Sequence, residues 1–369
     1  MKKILPLMMA APTLALAMAA DAAPQVTPYG QLNLSVDYMD SGISKADEAP
    51  DNKLSAGSFG ISSNSSLFGL KGELDGGLDN LKLIYQIEQG ITADGDDDDT
   101  LSTRNTYLGL RYLHNEQTSA ELLGGYHDTL AKLVTAKTLF KVNVADYGAI
   151  LGAGANSGSK FEKRVANMAL GRYSTNTSLG KVVLAAQVSA DTDDKNSKDK
   201  IDDTHNSFHA LGFNWSQGAF ELAAGYDHWN NFGQNNGRDE DADLLRAALI
   251  WKSGAWTAIG LAENLRYFGD LDRKAWGGQL GYTQGAWSWA GQWLHANDYR
   301  HSHATGANMI SVSAQRKITE PLAVFAVATT TRNDENARFQ GVDGGHGDEL
   351  AALAGTNPYA LSVGAVLKF

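Results

Sequence analysis

From Gln31 the chain alternates polar and apolar residues one by one: Gln31, Asn33, Ser35 and Asp37 interleave with Leu32, Leu34, Val36 and Tyr38. Successive side chains of a strand point to opposite faces, so this segment reads as a strand with one wet and one apolar face. The pattern returns along the chain. Leu81, Leu83, Tyr85 and Ile87 alternate with Lys82, Gln86 and Glu88; Leu184, Ala186 and Val188 with Gln187 and Ser189; Leu280 and Tyr282 with Gln279 and Thr283. The last residues, Tyr359, Leu361, Val363, Ala365, Leu367 and Phe369, repeat it. The stretch 127–145 alone has room for a short amphipathic helix. A mean hydropathy of −0.29 describes a soluble chain, but an average hides apolar residues placed at every second position.

The connections alternate in length. Seven short links carry turn chemistry: 75–80, 114–117, 176–180, 216–218, 253–254, 284–285 and 319–321. Between them lie eight long polar segments: 40–64, 90–101, 127–163, 191–204, 230–242, 264–272, 297–306 and 333–357. Together they join sixteen strands. An even number of short strands, with tight turns at one end and long loops at the other, is the pattern of an outer-membrane β-barrel. A soluble antiparallel sandwich also alternates. Two features weigh against it: Gln, Asn, Ser, Lys, Asp and Glu crowd the polar face, and the short/long asymmetry persists throughout. Between Pro50 and Pro321 there is no proline, while Pro28, Pro321 and Pro358 fall at strand starts and a turn, where a ladder tolerates them. A closed barrel is also the one all-β arrangement that satisfies its backbone in lipid.

Composition narrows the remaining classes. With 31 Lys and Arg against 42 Asp and Glu the net charge is −11, an unfavourable balance for nucleic acid. The absence of Cys excludes a disulfide-stapled scaffold and Cys-ligated metal. Lys2 and Lys3 precede an apolar stretch from Ile4 to Ala20 that ends in small residues, with Ala-x-Ala patterns up to Ala22. That arrangement is expected to be a cleaved export signal over 1–22 rather than a membrane anchor, leaving 23–369 as one barrel domain. All eight Trp lie between Trp215 and Trp293, in the expected strands 8 to 13. Trp and Tyr favour the headgroup level of a membrane, so the Trp-free first and last strands are expected to face something other than lipid. Phe369, with Leu367, Ala365 and Val363 on its face, reads as an outer-membrane assembly signal.

Several fragments then fall into a familiar order. They are Tyr29-Gly30-Gln31 on strand 1, Phe68-Gly69-Leu70-Lys71-Gly72-Glu73 on strand 2 and Tyr85-Gln86-Ile87-Glu88 on strand 3. Thr103-Arg104-Asn105-Thr106-Tyr107-Leu108-Gly109-Leu110 follows on strand 4, then the long segment from His127, then Arg172-Tyr173-Ser174 on strand 6. In this order, over essentially the whole mature chain, they resemble the trimeric general porins of Gram-negative bacteria. The resemblance implies a homotrimer and a water-filled barrel narrowed by its third long loop, here 127–163, folded into the lumen. It also implies a constriction where acidic loop residues oppose basic wall residues. Arg172 and Arg104 fall on such wall positions. Leu67, Gly125 and Gln31 stand where the family can carry a basic residue, so the ladder is eroded. The loop carries Lys132, Lys137, Lys141, Lys160 and Lys163 against Asp128, Asp146 and Glu162. The expected constriction is therefore Arg172, Arg104, Lys132, Lys137 and Lys141, with Asp146 as its main acid. Such a lining gives weak anion preference; if the lysines point to solvent, the pore is nearly non-selective.

Acidic runs at Asp94–Asp99, Asp191–Asp194 and Asp202-Asp203 read first as solvated loops and second as oxygen ligands bridging Ca²⁺ or Mg²⁺ to lipopolysaccharide. No cofactor is implied. His205 and His209 lie four apart on a strand, about 13 Å from each other, too far to share a metal, and no P-loop, dinucleotide fingerprint or H-E-x-x-H motif occurs. An enzyme is not expected. Three readings remain: passive diffusion of ions and small hydrophilic solutes; a substrate-specific channel of the same fold, for example for anionic solutes; and an outer-membrane enzyme or adhesin barrel.

Overall fold

The computed structural model describes residues 25–95, 100–153, 161–190, 206–235, 238–267 and 272–369. They form one antiparallel barrel of sixteen strands. In chain order these are β1 (Gln25–Asp40), β2 (Ser58–Ser63 continued by Leu67–Asp75), β3 (Leu81–Ile91), β4 (Leu101–Thr103 continued by Thr106–Asn115) and β5 (Thr118–Asp128). Next come β6 (Arg164–Thr177), β7 (Gly180–Ser189), β8 (Phe208–Gln217), β9 (Phe220–Asn235), β10 (Arg238–Ser253) and β11 (Trp256–Tyr267). The barrel ends with β12 (Arg273–Gln284), β13 (Trp287–Ala296), β14 (Ala307–Lys317), β15 (Leu322–Asn333) and β16 (Tyr359–Lys368). Each strand pairs with the next, and β1 closes the ring on β16 from Gln31↔Lys368 to Asp40↔Tyr359. The last residue is stitched in as well: Gly30 N donates to Phe369 O at 2.9 Å and Phe369 N to Gly30 O at 3.1 Å. Closure excludes the sandwich, which would leave edges.

Burial follows the alternation in an inverted sense. On β1 the polar set Asn33, Ser35 and Asp37 is buried, while Leu32 and Val36 are exposed. Exposed Leu108, Leu110, Leu211, Leu280, Val312 and Leu361 continue this greasy outer face around the cylinder. A water-soluble protein hides such residues; a contiguous apolar girdle with polar groups inside is the arrangement of a barrel that spans lipid. Outward aromatics border it at two levels. At the short-turn end the Trp256 and Tyr282 rings lie 4.6 Å apart, Tyr282 lies 6.1 Å from Trp289, and Trp287 stacks on Trp289 at 6.0 Å. Towards the long-loop end Trp276 meets Trp293 edge-on at 4.9 Å. On β12 six residues separate Trp276 from Tyr282, about 20 Å along a strand, which suits a tilted crossing of the apolar band.

All seven expected turns join the strands that flank them. Two expected long loops are corrected. Residues 230–242 largely continue β9 and β10, which pair as far as Asn235↔Arg238 across a bulge between Trp229 and Gly233. Residues 264–272 give up their first four to β11. Turn-type composition there is overridden by backbone pairing beyond the membrane. Trp229 stands apart from the outward aromatics: it points inward, buried, with its ring 4.4 Å from Phe208. The expected export signal (1–22) lies outside the described residues, as do Asp96–Asp99, Asp191–Asp194, Asp202 and Asp203 of the acidic runs, and His205.

Candidate functional site

The segment after β5 is the longest connection, and its described residues, 129–153 and 161–163, form a compact unit. Helix α1 (Leu130–Val134) begins at Thr129, whose side chain accepts from Lys132 N at 3.3 Å. Ala131 N donates to Asp227 of β9 at 3.0 Å. Gly225 beside it lets the helix close on the strand: a Cβ there would stand 2.6 Å from both Ala131 Cα and Leu130 O. Further along, Leu139 N donates to Gln279 Oε1 of β12 (2.7 Å), and Gln292 Nε2 of β13 donates to Ala145 O (3.0 Å). Arg273 Nη2 of β12 reaches Ile150 O (2.9 Å), Gly152 N donates to Glu263 Oε1 of β11 (2.9 Å), and Asn33 Nδ2 of β1 donates to Val142 O (3.1 Å). Phe140, Val144, Ala145, Tyr147, Ile150 and Leu151 join one buried cluster with Ile250, Ile259, Leu261 and Val327 of the strands and Phe339, Val342 and Leu350 of the 334–358 connection. One ionic clamp sits within this contact. Arg246 of β10, fully buried, donates to Glu263 Oε2 from Nε (3.0 Å) and Nη2 (2.7 Å), and its Nη1 donates to Glu162 Oε1.

A second group of charges lines the polar side of β3 to β6. Arg104 sits at the break in β4, where Arg104 N donates to Glu88 O, and its Nε donates to Glu88 Oε1 at 2.8 Å. Glu88 Oε2 accepts from Tyr29 at 2.9 Å. Glu121 is shared: Arg111 Nε and Arg172 Nη1 each donate to it at 2.8 Å. Asp128 faces Lys132 at 3.1 Å and Arg164 at 3.3 Å. Burial pushes the Lys132 ammonium below its ordinary value, against the pull of Asp128.

The expected constriction residues therefore divide. Arg172 and Arg104 occupy this wall and Lys132 reaches it from α1, each against a carboxylate. Lys137 is half exposed and pairs with Glu221 of β9. Lys141 is partly buried and makes no ion pair among the described residues. Asp146, expected as the main acid, is only 3% exposed and lies inside the segment's own fold. Its carboxylate accepts from Val142 N (2.7 Å), Gly148 N (2.8 Å) and Gly345 N (3.1 Å), tying the segment to the 334–358 connection. Burial raises this carboxyl above its ordinary value in spite of those three donors. The acids beside the wall cations are Glu88, Glu121 and Asp128.

Sequence reading passed over Arg111, Arg164, Arg246 and Glu121. Arg111 and Glu121 occupy polar positions of their strands' alternation and were legible there. Gly125 cannot carry a side chain. That glycine has φ +145°, and a Cβ on it would stand 2.4 Å from Thr106 O, so no arginine fits. The register shift between Gly125 and His127 then sets Asp128 opposite Arg164.

Among the described residues no three His, Asp or Glu side chains are grouped as a metal site. A family model of Gram-negative porins matches residues 7–336. No curated protein sequence matches the chain. Solved structures do. An anion-selective porin from Comamonas acidovorans superimposes with a TM-score of 0.72 at 17% identity, over 94% of this chain and 100% of that one. OmpF of Salmonella typhi, solved with daunomycin, gives 0.65 at 14% identity, over 94% and 98%. A trimer form of Vibrio cholerae OmpT gives 0.63 at 16% identity, over 94% and 100%.

Proposed function

The chain belongs to the Gram-negative porin family, and from that premise we propose that this outer-membrane channel protein passes ions and small hydrophilic solutes by passive diffusion with weak charge selectivity. The observation that carries the reading is the inverted burial of a closed sixteen-stranded ring, apolar outside and ionised inside. The connection 129–163 is the constriction in this reading. Its support is the set of bonds from that segment to polar positions of β1 and β9 to β13. Weak selectivity rests on pairing: Arg104, Arg172, Lys132 and Lys137 each stand against a carboxylate, which leaves little net field at a charged ring. The functional unit is a homotrimer in the same reading, supported by the Trp-free outer faces of β1 to β7 and β14 to β16, where Phe59, Ile61 and Val363 stand exposed. The Vibrio relative described as a trimer form adds to it. Divalent cations bridging the acidic loops to lipopolysaccharide complete the proposal for the rim.

The test is conductance across a planar bilayer. Purified protein is expected to insert as ohmic current steps with a reversal potential near zero in a salt gradient. Protein that folds and inserts but carries no steps defeats the channel reading, and a near-ideal reversal potential for either ion defeats weak selectivity. A second expectation concerns the loop. Gly225→Val drives a side chain into the backbone of α1, so the folded variant is expected to show an altered single-channel conductance. An unchanged value would mean that α1 does not border the conducting path.

A further inference from the structure

Beneath α1 the inner wall contains a recess that ion conduction does not require. Val183 and Ala185 of β7, Gly212 of β8 and Ala223 of β9 form its floor, and Leu133 and Val134 of α1 form its roof. These strand positions belong to the polar face elsewhere in the barrel; here four in a row are apolar or small. The recess measures about 140 Å³ and is open on one side; by volume it has room for one aromatic ring, since an enclosed apolar cavity of roughly 150 Å³ takes up benzene.

Its rim is cationic. Arg172 borders the recess and spends Nη1 on Glu121 at 2.8 Å. Among the described residues its Nε and Nη2 make no hydrogen bond. Glu121 is already shared with Arg111, so two guanidinium groups stand against that one carboxylate; Arg111 has a further, more exposed partner in Glu73 at 3.1 Å. Asn214 of β8 also lines the recess, but its Nδ2 is spent on Glu221 of β9 at 2.8 Å, a carboxylate that also accepts from Lys137. A guanidinium with an open donor edge binds carboxylates well. Beside an apolar slot the size of one ring, it selects an anion that carries such a ring.

We propose that this recess is a binding subsite for aromatic monocarboxylates, the ring seated between α1 and β7 to β9 and the carboxylate on the free edge of Arg172. The inference rests on the channel reading for its meaning, since it names a solute class, but not for its measurement. Calorimetric titration of the folded protein in detergent with sodium benzoate and with sodium acetate reads binding whether or not the barrel conducts. Saturable benzoate binding is expected, with acetate at least about tenfold weaker, the loss corresponding to about 1.4 kcal/mol. Ala223→Leu fills the slot, and Arg172→Gln removes the cation. Each is expected to weaken benzoate by about tenfold or more, while Arg172→Lys retains part of the affinity. In bilayers benzoate is then expected to block the current saturably where acetate does not. Equal heats for the two acids, or benzoate binding unaltered in both Ala223→Leu and Arg172→Gln, overturn the subsite. A silent bilayer with intact benzoate binding would instead overturn the channel reading alone.

Discussion

Val312→Arg is expected to destabilise the barrel by about 2–4 kcal/mol, the cost of a lipid-facing arginine near the bilayer midplane, whereas Ser313→Arg, one residue later, costs little. Val312 is 57% exposed on the outer face of β14. Register sets its depth. Ile310 pairs with Trp293, Val312 with Gly291 and Ala314 with Trp289, so Val312 lies midway between the two aromatic levels of β13. An arginine there has no water to solvate it and a long way to reach a headgroup. Ser313 points to the opposite face, where an ion meets water and other charges. Its arginine variant is also expected to move the reversal potential towards anions, because one positive charge enters a lining in which Arg104, Arg172, Lys132 and Lys137 already stand against carboxylates. Urea unfolding of the two refolded variants in lipid vesicles reads the difference. Equal stabilities would mean that the outer face is not in contact with hydrocarbon.

This contrast is legible in the sequence alone, because period-two alternation is local. So are the seven turns, whose Gly, Asn and Pro act within four residues. Features that depend on a distant partner are not. The Asn, Gly and Asp residues of 230–242 carry turn chemistry, yet Gly233 pairs with Glu240 and the hairpin continues. Asp146 reads as a free loop acid until Gly345, 199 residues away, donates to it. Lys137 reads as an unopposed cation until Glu221 is brought beside it. The missing basic residue at Gly125 looks like erosion of a ladder; the register shift beside it brings Arg164 of the neighbouring strand opposite Asp128. Arg246 was hidden for another reason. It sits in Leu244-Leu245-Arg246-Ala247-Ala248-Leu249-Ile250, which is apolar on both faces. The outer face meets lipid, and the inner residues Ala248 and Ile250 pack in the cluster that also holds Tyr147, Ile150 and Leu151. Alternation disappears where a loop turns a wet wall into a dry contact.

Arg246→Met is expected to release the 129–163 segment while leaving the ring of strands intact. Arg246 and Glu263 are directly opposite in the β10–β11 register, and both side chains are fully buried. Their backbone ladder does not depend on the side chains, so the barrel keeps its pairing. The loop does depend on them: Glu162 enters the clamp through Arg246, and Glu263 also accepts from Gly152 N at 2.9 and 3.1 Å. Removing the guanidinium leaves two carboxylates facing each other in a dry contact. Breaking a buried pair from one side costs about 3–5 kcal/mol because an uncompensated charge is left behind, and neutral isosteres at both carboxylates remove that charge. Arg246→Met alone is therefore expected to lower thermal stability in detergent and to open Lys137 and Lys141 to trypsin. Combining it with Glu162→Gln and Glu263→Gln is expected to restore most of both. The order of the two effects decides the mechanism. If the single variant melts the β signal and exposes the loop together, the clamp supports the whole cylinder; if cleavage at the loop comes first, the clamp anchors the loop. A single variant as stable and as protease-resistant as the parent would mean that the apolar contacts of Tyr147, Ile150 and Leu151 hold the segment without the charges.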